Sequence, residues 1–580
     1  MTKIQGWCVT GLASAITALL AACGGSGGGG VSFVPTASAP APAAGGSSST
    51  APAPAPAPVA SFEAQCGALA GLPLANGKLV SAVYTAGVTN TASPASSTPD
   101  HCLVRGELNP RTGVDGKPYA ILFELRLPKD WNQRFFYQGG SGVDGSVPAA
   151  LGAYPGGGAT RNALLDGYAV VTTDSGHEAP FDMSSNVTFL FAVDPQARDE
   201  YGDKQLPLVA GSSQVVIKQL YGMQPSRSYF VGCSNGGRQA MVAAQRYPQL
   251  FDGIVAGAPG FRLTAAALEG SIFRAQAAAA VAPLGTDGKP DIFNALTSAE
   301  KDTVRNRILA SCDAADGVTD GMVSKPSACN PDPSQWVCTG GATSNCLSAD
   351  KAAYVKKFFE GAKTSTGRQI YGPWPYDPGM IDTVGTPAQL YYAIFAGEAS
   401  HVYTTPPTVT PDLLGYARTA DLDAEYAKIF DVSGIYTRSG HEFTDADSAD
   451  MDAFRARGGK ILSFNGTADW AFSFTDLSRY QDRVIARYGR TEADKFARAF
   501  AVPGMSHCSG GAYGTDQFDA FGAVVKWVEQ GQAPDAMVST ARAAAGVAWP
   551  GRTRPLCPYP KEAVYNGSGS IESASSFSCQ

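Results

Sequence analysis

The stretch Gly232-Cys-Ser-Asn-Gly-Gly-Arg238 contains the pattern Gly-x-Ser-x-Gly centred on Ser234. A serine hydroxyl is a weak nucleophile at neutral pH unless a base takes its proton and a third group steadies that base. Small residues on either side of the serine let the backbone turn sharply. Such a turn lifts the hydroxyl clear and points the N-terminus of a following helix at a developing oxyanion. The same five residues also suit a plain Gly/Ser turn, so their flanks must decide. The chain has five histidines, of which His401, His441 and His507 follow the serine. His507 stands in the loop Pro503-Gly-Met-Ser-His-Cys508, whereas His401 and His441 lie in polar, turn-rich sequence and read as surface residues. For the acid, Asp469 closes the loop Asn465-Gly-Thr-Ala-Asp469, and Asp476, seven residues further on, is its rival. The acid would hold the imidazole tautomer and balance the imidazolium.

Three short apolar segments would carry these groups. Ser228-Tyr-Phe-Val231 reads as a buried strand and Gln239–Arg246 as the body of an Ala-rich helix, which places Ser234 in a strand-turn-helix context. Lys460–Phe464 reads as a strand delivering Asp469, and Ala499–Val502 as one delivering His507. Serine, then acid, then histidine is the chain order of an α/β-hydrolase. Between Gly260 and about Arg457 the alternation of strand and helix stops, and Ala-rich helical stretches, short Cys loops and Pro-rich turns replace it. The expected class is therefore α/β: an α/β-hydrolase fold with a large lid-domain insertion. Residues 62–259 and 458–580 would form the catalytic domain and 260–457 the lid.

The 580 residues are 44% hydrophobic and only 16% charged, with a formal charge of −7 and no long Lys/Arg run. That composition supports a folded core and argues against a nucleic-acid partner, which needs a concentrated basic surface. Lys3 precedes a largely apolar stretch from Val9 to Ala22 that ends in Leu20-Ala-Ala-Cys23. A basic start with a short apolar core is a secretory signal, and the small residues before Cys23 resemble a bacterial lipobox. The expected layout is a lipoprotein signal peptide at 1–22 and an acylated Cys23. A Gly/Ser/Ala/Pro tether follows at 23–61, too poor in apolar side chains to order itself. The chain would be exported and anchored by lipid to the bacterial outer membrane, touching the membrane only there. Cleavage without acylation is the other reading of the same residues.

Setting aside Cys8 in the signal and Cys23, ten cysteines remain: Cys66, Cys102, Cys233, Cys312, Cys329, Cys338, Cys346, Cys508, Cys557 and Cys579. Ten allow five bridges in an oxidising compartment, although spacing leaves the connectivity open. Nearness makes Cys312–Cys329, Cys338–Cys346 and Cys557–Cys579 natural local loops. Zinc is disfavoured by the lack of CxxC spacing and the scarcity of histidine. Cys233 directly precedes the candidate nucleophile, and Cys508 directly follows the candidate base.

That Cys-Ser, Asp, His-Cys pattern resembles the tannase and feruloyl esterase family, whose members join the two cysteines. The resemblance runs from about Cys66 to Cys579 and includes the stretches Arg134–Gly142, Phe251–Gly260 and Arg552–Pro560. It implies a Cys233–Cys508 bridge, a Cys66–Cys102 bridge and the three local ones. It also implies an oxyanion hole from the amides of Gly139 and Asn235. The implied activity is serine carboxylic ester hydrolysis of small aromatic acid esters: feruloyl, galloyl or terephthalate monoesters. The enzyme is expected to act as a monomer. The competing class is a lipid-anchored binding protein on a hydrolase scaffold that has lost turnover.

Within the lid, Cys312-Asp-Ala-Ala-Asp-Gly-Val-Thr-Asp-Gly-Met322 is dense in carboxylates. Asp313, Asp316 and Asp320 offer the hard oxygen ligands that calcium prefers, although an Asp/Gly turn accounts for the pattern too. The resemblance implies a structural calcium ion there, with carbonyl oxygens from Val318 and Met322. Trp470 and Phe472, just past Asp469, are candidate walls for an aromatic acyl group, and core packing is an equal reading. A family member that cleaves a terephthalate monoester grips the free carboxylate with a lid arginine. The matching stretch here, Ala393–Pro406, contains none.

Overall fold

The runs Phe135-Phe-Tyr137, Ala169-Val-Val171, Tyr229-Phe-Val231 and Ile254-Val-Ala256 carry no charge. Continuous apolar runs of this kind suit strands buried on both faces. In the computed structural model they are inner strands of one ten-stranded sheet. The structure describes residues 60–156, 160–182, 185–382 and 388–580. The expected signal peptide, Cys23 and the tether as far as Val59 lie outside them.

The strands are β1 (Pro73–Leu74), β2 (Gly77–Thr85), β3 (His101–Thr112), β4 (Pro118–Pro128), β5 (Arg134–Gln138), β6 (Ala169–Thr173), β7 (Arg227–Cys233), β8 (Gly253–Gly257), β9 (Lys460–Gly466) and β10 (Ala497–Val502). Their order across the sheet is β1-β2-β3-β4-β6-β5-β7-β8-β9-β10. The first four run antiparallel and β4 meets β6 antiparallel; from β6 to β10 every pairing is parallel. The three strands expected beside the candidate triad are β7, β9 and β10, each two or three residues longer than the apolar run that signalled it. The mixed α/β architecture expected from the sequence is the one observed.

Strand alternation splits the core in two. Phe135 and Tyr137 pack with Phe230, Met241 and Ile254 on one face. Phe136 packs with Tyr229, Val255, Leu462, Phe500 and Phe521 on the other. The first face is covered by the helices Gln205–Tyr221, Asn235–Arg246 and Phe474–Tyr488. The second is covered by the helix Ala520–Gln530.

Among the described residues between β8 and β9 no segment joins the main sheet; α, 3₁₀ and π helices occupy much of the interval. These helices share a third apolar cluster, running from Leu263 to Phe443, that also takes in Trp470 and Phe472 from the loop after β9. The inserted segment thus packs directly on the loop that carries Asp469, and residues 60–580 make one compact unit. One of its helices, Ser298–Cys312, starts at a reciprocal cap between Thr297 and Glu300 and ends at the Asp313 loop. Among the described residues no helix is long and apolar enough to cross a membrane.

Among the described residues five disulfides form, in the pairing the resemblance implied: Cys66–Cys102, Cys233–Cys508, Cys312–Cys329, Cys338–Cys346 and Cys557–Cys579. Five bridges are the signature of a chain that folds in an oxidising compartment. Cys233–Cys508 spans 275 residues and Cys338–Cys346 only 8. Loop-closure entropy rises with the logarithm of that separation, so the long bridge should stabilise by about 3 kcal/mol more than the short one. Denaturant unfolding of the double serine variants at each pair checks this; equal losses would show that chain entropy is not what the long bridge contributes.

Candidate active site

β7 ends at Cys233 and the next helix begins at Asn235, so the chain reverses at Ser234 alone. Ser234 adopts φ 64° and ψ −123°, a conformation that costs a residue with a side chain roughly 1–3 kcal/mol. The turn also forces backbone against backbone. A Cβ on Gly232 would sit 2.5 Å from the Gly236 carbonyl oxygen, and one on Gly236 would sit 2.5 Å from that of Gly140. Both glycines of the pentapeptide are therefore sterically required.

Ser234 Oγ lies 2.8 Å from His507 Nε2. His507 Nδ1 lies 3.1 and 3.0 Å from the two oxygens of Asp469. Asp469 is 1% exposed, and its Oδ1 also accepts from the amides of Ala471 (2.8 Å) and Phe472 (3.2 Å). Those amides set the carboxylate in place before the imidazole meets it. The imidazole is held on two sides by Trp470 and Phe472, with ring centroids 5.2 and 5.5 Å away in edge contacts. Cys508, adjoining His507, has φ 64° and is tied to Cys233 with Cα atoms 6.0 Å apart. One covalent link thus clamps the nucleophile turn to the histidine loop.

The rival residues go elsewhere. Asp476 is buried in the helix Phe474–Tyr488 and pairs with Arg262 at 2.6 Å. His401 is not a surface residue, contrary to expectation: it is 1% exposed, Nδ1 meets Ser400 Oγ at 2.8 Å, and burial pushes it down to about 4. Its polar neighbours in the sequence belong to the packed lid, which sequence polarity alone does not reveal. His441 is partly exposed and meets Asp445 at 3.1 Å, a hydrogen bond that raises its pKa. His177 is stacked on Phe191 at 3.6 Å, and burial pushes it down to about 3.

The implied oxyanion pair needs one correction. The Gly139 N–H donates to the Val231 carbonyl at 2.9 Å, extending the β5–β7 ladder, so it is already committed. The Gly140 N–H donates to Gln239 Oε1 at 3.1 Å. Asn235, the first residue of its helix, has an amide with no partner inside that helix. Its side chain is buried and anchored from behind: Nδ2 donates to Asp144, and Oδ1 accepts from Arg238 Nε at 2.7 Å. Burial pushes Asp144 up to about 6 despite donors from Ser175, Gln239 and Asn235.

Above Ser234 opens a cavity of about 560 Å³, a size suited to a small organic ligand. Gly139–Gly142, Ser234, Asn235 and His507 line one part, and Leu263, Ile394, Phe395, Glu398, Trp470 and Phe472 another. Trp470 and Phe472 line the cavity and also pack into the apolar cluster of the inserted helices. Phe395 completes the aromatic wall, 6.5 Å from Trp470 and 6.4 Å from Phe472 between centroids. Leu263, Phe395 and Glu398 were not singled out in the sequence, because nothing there says which face of a lid helix looks at the serine.

In the lid loop, Asp313 accepts from the amides of Asp320 (3.0 Å) and Gly321 (2.9 Å). Asp320 faces two guanidiniums, bonding Arg554 and lying 3.7 Å from Arg552. Among the described residues no group of three or more His, Cys, Asp or Glu side chains is arranged to hold a metal ion. Asp316 Oδ2 is nevertheless buried without a partner, and burial pushes that carboxyl up to about 6. Val318 is partly buried and Met322 fully buried beside it. An orphaned carboxylate oxygen in an all-oxygen loop fits calcium chemistry.

The family described as tannase and feruloyl esterase matches this chain over residues 102–580. Mono(2-hydroxyethyl) terephthalate hydrolase of Piscinibacter sakaiensis is 38% identical over 523 residues, 84% of this chain and 86% of that protein. A probable feruloyl esterase of Arthroderma benhamiae is 30% identical over 511 residues, 84% and 87% of the two chains. The crystal structure of feruloyl esterase B from Aspergillus oryzae superposes with a TM-score of 0.71 at 25% identity, covering 90% of this chain and all of that one.

Proposed function

The chain belongs to the tannase and feruloyl esterase family and is a carboxylic ester hydrolase; on that premise we propose that it cleaves esters of aromatic acids through a Ser234–His507–Asp469 acyl-enzyme mechanism. The observation that carries this reading is the 2.8 Å contact between Ser234 Oγ and His507 Nε2 at the floor of an aromatic-walled cavity. His507 takes the serine proton as Oγ attacks the ester carbonyl. Asp469 balances the imidazolium, which then passes the proton to the departing alcohol. Water, deprotonated by the same imidazole, attacks the acyl-enzyme and releases the acid. The tetrahedral oxyanion is received by the Asn235 amide at the helix N-terminus, which lines the cavity.

Trp470, Phe472 and Phe395 favour an aromatic acyl group. Feruloyl and galloyl esters are the expected substrates. A terephthalate monoester would bring a carboxylate into a wall whose described lining residues include no Arg or Lys. The Asp313–Met322 loop is the place for a structural calcium ion, with Asp313, Asp316 and Asp320 as side-chain ligands and the Val318 and Met322 carbonyls beside them. Held there, calcium would neutralise the carboxylates and stiffen the lid. Acylated Cys23 would tether the enzyme to the bacterial outer membrane through a segment with no charged residue between Gly24 and Ser61.

Three measurements test this. Ser234→Ala should lose p-nitrophenyl ester turnover and fluorophosphonate labelling; Asp469→Asn should lower kcat by about 10⁴, and Asp476→Asn should cost stability rather than kcat. A labelled or active Ser234→Ala protein would remove the mechanism. Chelation of purified enzyme should lower its melting temperature and added calcium should restore it; an unchanged transition would remove the ion. In a bacterial host, labelled fatty acid should enter the native chain and not Cys23→Ala, and equal labelling would remove the anchor.

A further inference from the structure

Glu398 is 2% exposed, yet it lines the same cavity as Ser234 and His507. It stands at the point where the helix Ala388–Gly397 passes into a π-helical turn, Glu398–Tyr403. Such turns recur at functional sites because they re-aim a side chain. Ile394 and Phe395, four and three residues earlier, share its face and line the cavity with it. Its Oε2 is buried and has no hydrogen-bond partner. A buried oxygen left unpaired costs roughly 1–3 kcal/mol, so a chain that keeps one beside its nucleophile has a use for it.

The surroundings determine what this carboxyl can recognise. The Tyr201 and Tyr403 hydroxyls, 3.2 Å from one another, act on its carboxyl as hydrogen-bond donors that hold its pKa down, and Arg238 and Asp144 are the charged groups that act on it from the catalytic domain. The Arg238 guanidinium is committed elsewhere: it bonds Asn235 and the carbonyls of Tyr201, Gly202 and Thr444, and it stacks on the Tyr201 ring. No cation therefore pairs with Glu398. Burial, the largest influence, pushes it up to about 8, so near neutral pH it is mostly a neutral carboxylic acid able both to donate and to accept. The described residues lining the cavity include no Arg or Lys, and the sequence has none at 154–160 or 382–391.

We propose that Glu398 is a specificity-determining residue that pairs with a neutral phenolic hydroxyl on the acyl ring and excludes acyl groups bearing a free carboxylate. A ring hydroxyl in the cavity would meet a carboxyl group that lines it and that no cation neutralises. A carboxylate would enter a cavity without a cation and meet either a neutral acid or a second negative charge, both poor exchanges for water. Glu398 reaches the substrate only through binding; proton transfer stays with His507. The role rests on the aromatic-ester reading above.

The test compares kcat/KM for methyl 4-hydroxybenzoate, methyl benzoate and monomethyl terephthalate in the native full chain, Glu398→Gln and Glu398→Leu. Ratios between substrates cancel any loss of folded enzyme. The native enzyme should prefer the hydroxylated ester to methyl benzoate by at least about tenfold and turn over the terephthalate monoester most slowly. Glu398→Leu should bring the hydroxyl preference close to one, whereas Glu398→Gln, which still donates and accepts, should retain most of it. Between pH 7 and 9 the terephthalate-to-benzoate ratio should fall in the native enzyme, as Glu398 loses its proton, and stay level in Glu398→Gln. A native preference that survives in Glu398→Leu overturns this role alone. A native chain inactive on all three esters overturns the aromatic-ester reading and this role with it.

Discussion

Ser234 and His507 lie 273 residues apart in the chain and 2.8 Å apart in space. Proton transfer tolerates little slack in that distance, and a misplacement of about 1 Å can cost a hundredfold in rate. Two constraints converge on it. The Cys233–Cys508 bridge fixes the residues immediately before the serine and after the histidine. The parallel pairing of β7, β8, β9 and β10 brings the ends of three strands to one edge of the sheet. The bridge alone would leave the Ser234 turn free to swivel, and the sheet alone would leave the histidine loop free to lift. Together they hold both groups before any substrate arrives.

Around that fixed pair the lid is built as an extension of the core rather than as a separate cap. Trp470 and Phe472 touch the His507 ring on one side and join the apolar cluster of the inserted helices on the other. The loop that meets the imidazole is consequently also a wall of the cavity above Ser234. A change in lid packing should be felt by both, because close-packed interiors transmit displacement.

Two buried carboxyl groups near the serine illustrate how environment assigns roles. Asp469 is met by two backbone amides and an imidazole, so its oxygens are fully engaged within the protein. Glu398 has no cation and one oxygen without a partner, so burial dominates and favours its neutral form. In the function proposed for this chain, the first balances a charge that appears during reaction and the second meets a group that arrives with the substrate.

The local chemistry was legible in the residues themselves. Gly232, Ser234 and Gly236 form a turn whose sterics act within five residues, and Asp469 and His507 each follow a short apolar strand, so their placement needed only local rules. The flanking Cys233 and Cys508 suggested the long bridge through family resemblance. What the sequence could not carry was anything that depends on which surfaces meet. His401 looks polar in context and is buried, because lid helices fold over it. The Gly139 amide looks available and is spent on Val231, because hydrogen bonds in a ladder depend on register. Glu398 ends an apolar helix, and spacing alone does not say that this helix faces the cavity or that its carboxyl loses its water there. Sequence spacing determines what a few neighbouring residues can do; desolvation and long-range pairing are properties of the assembled chain.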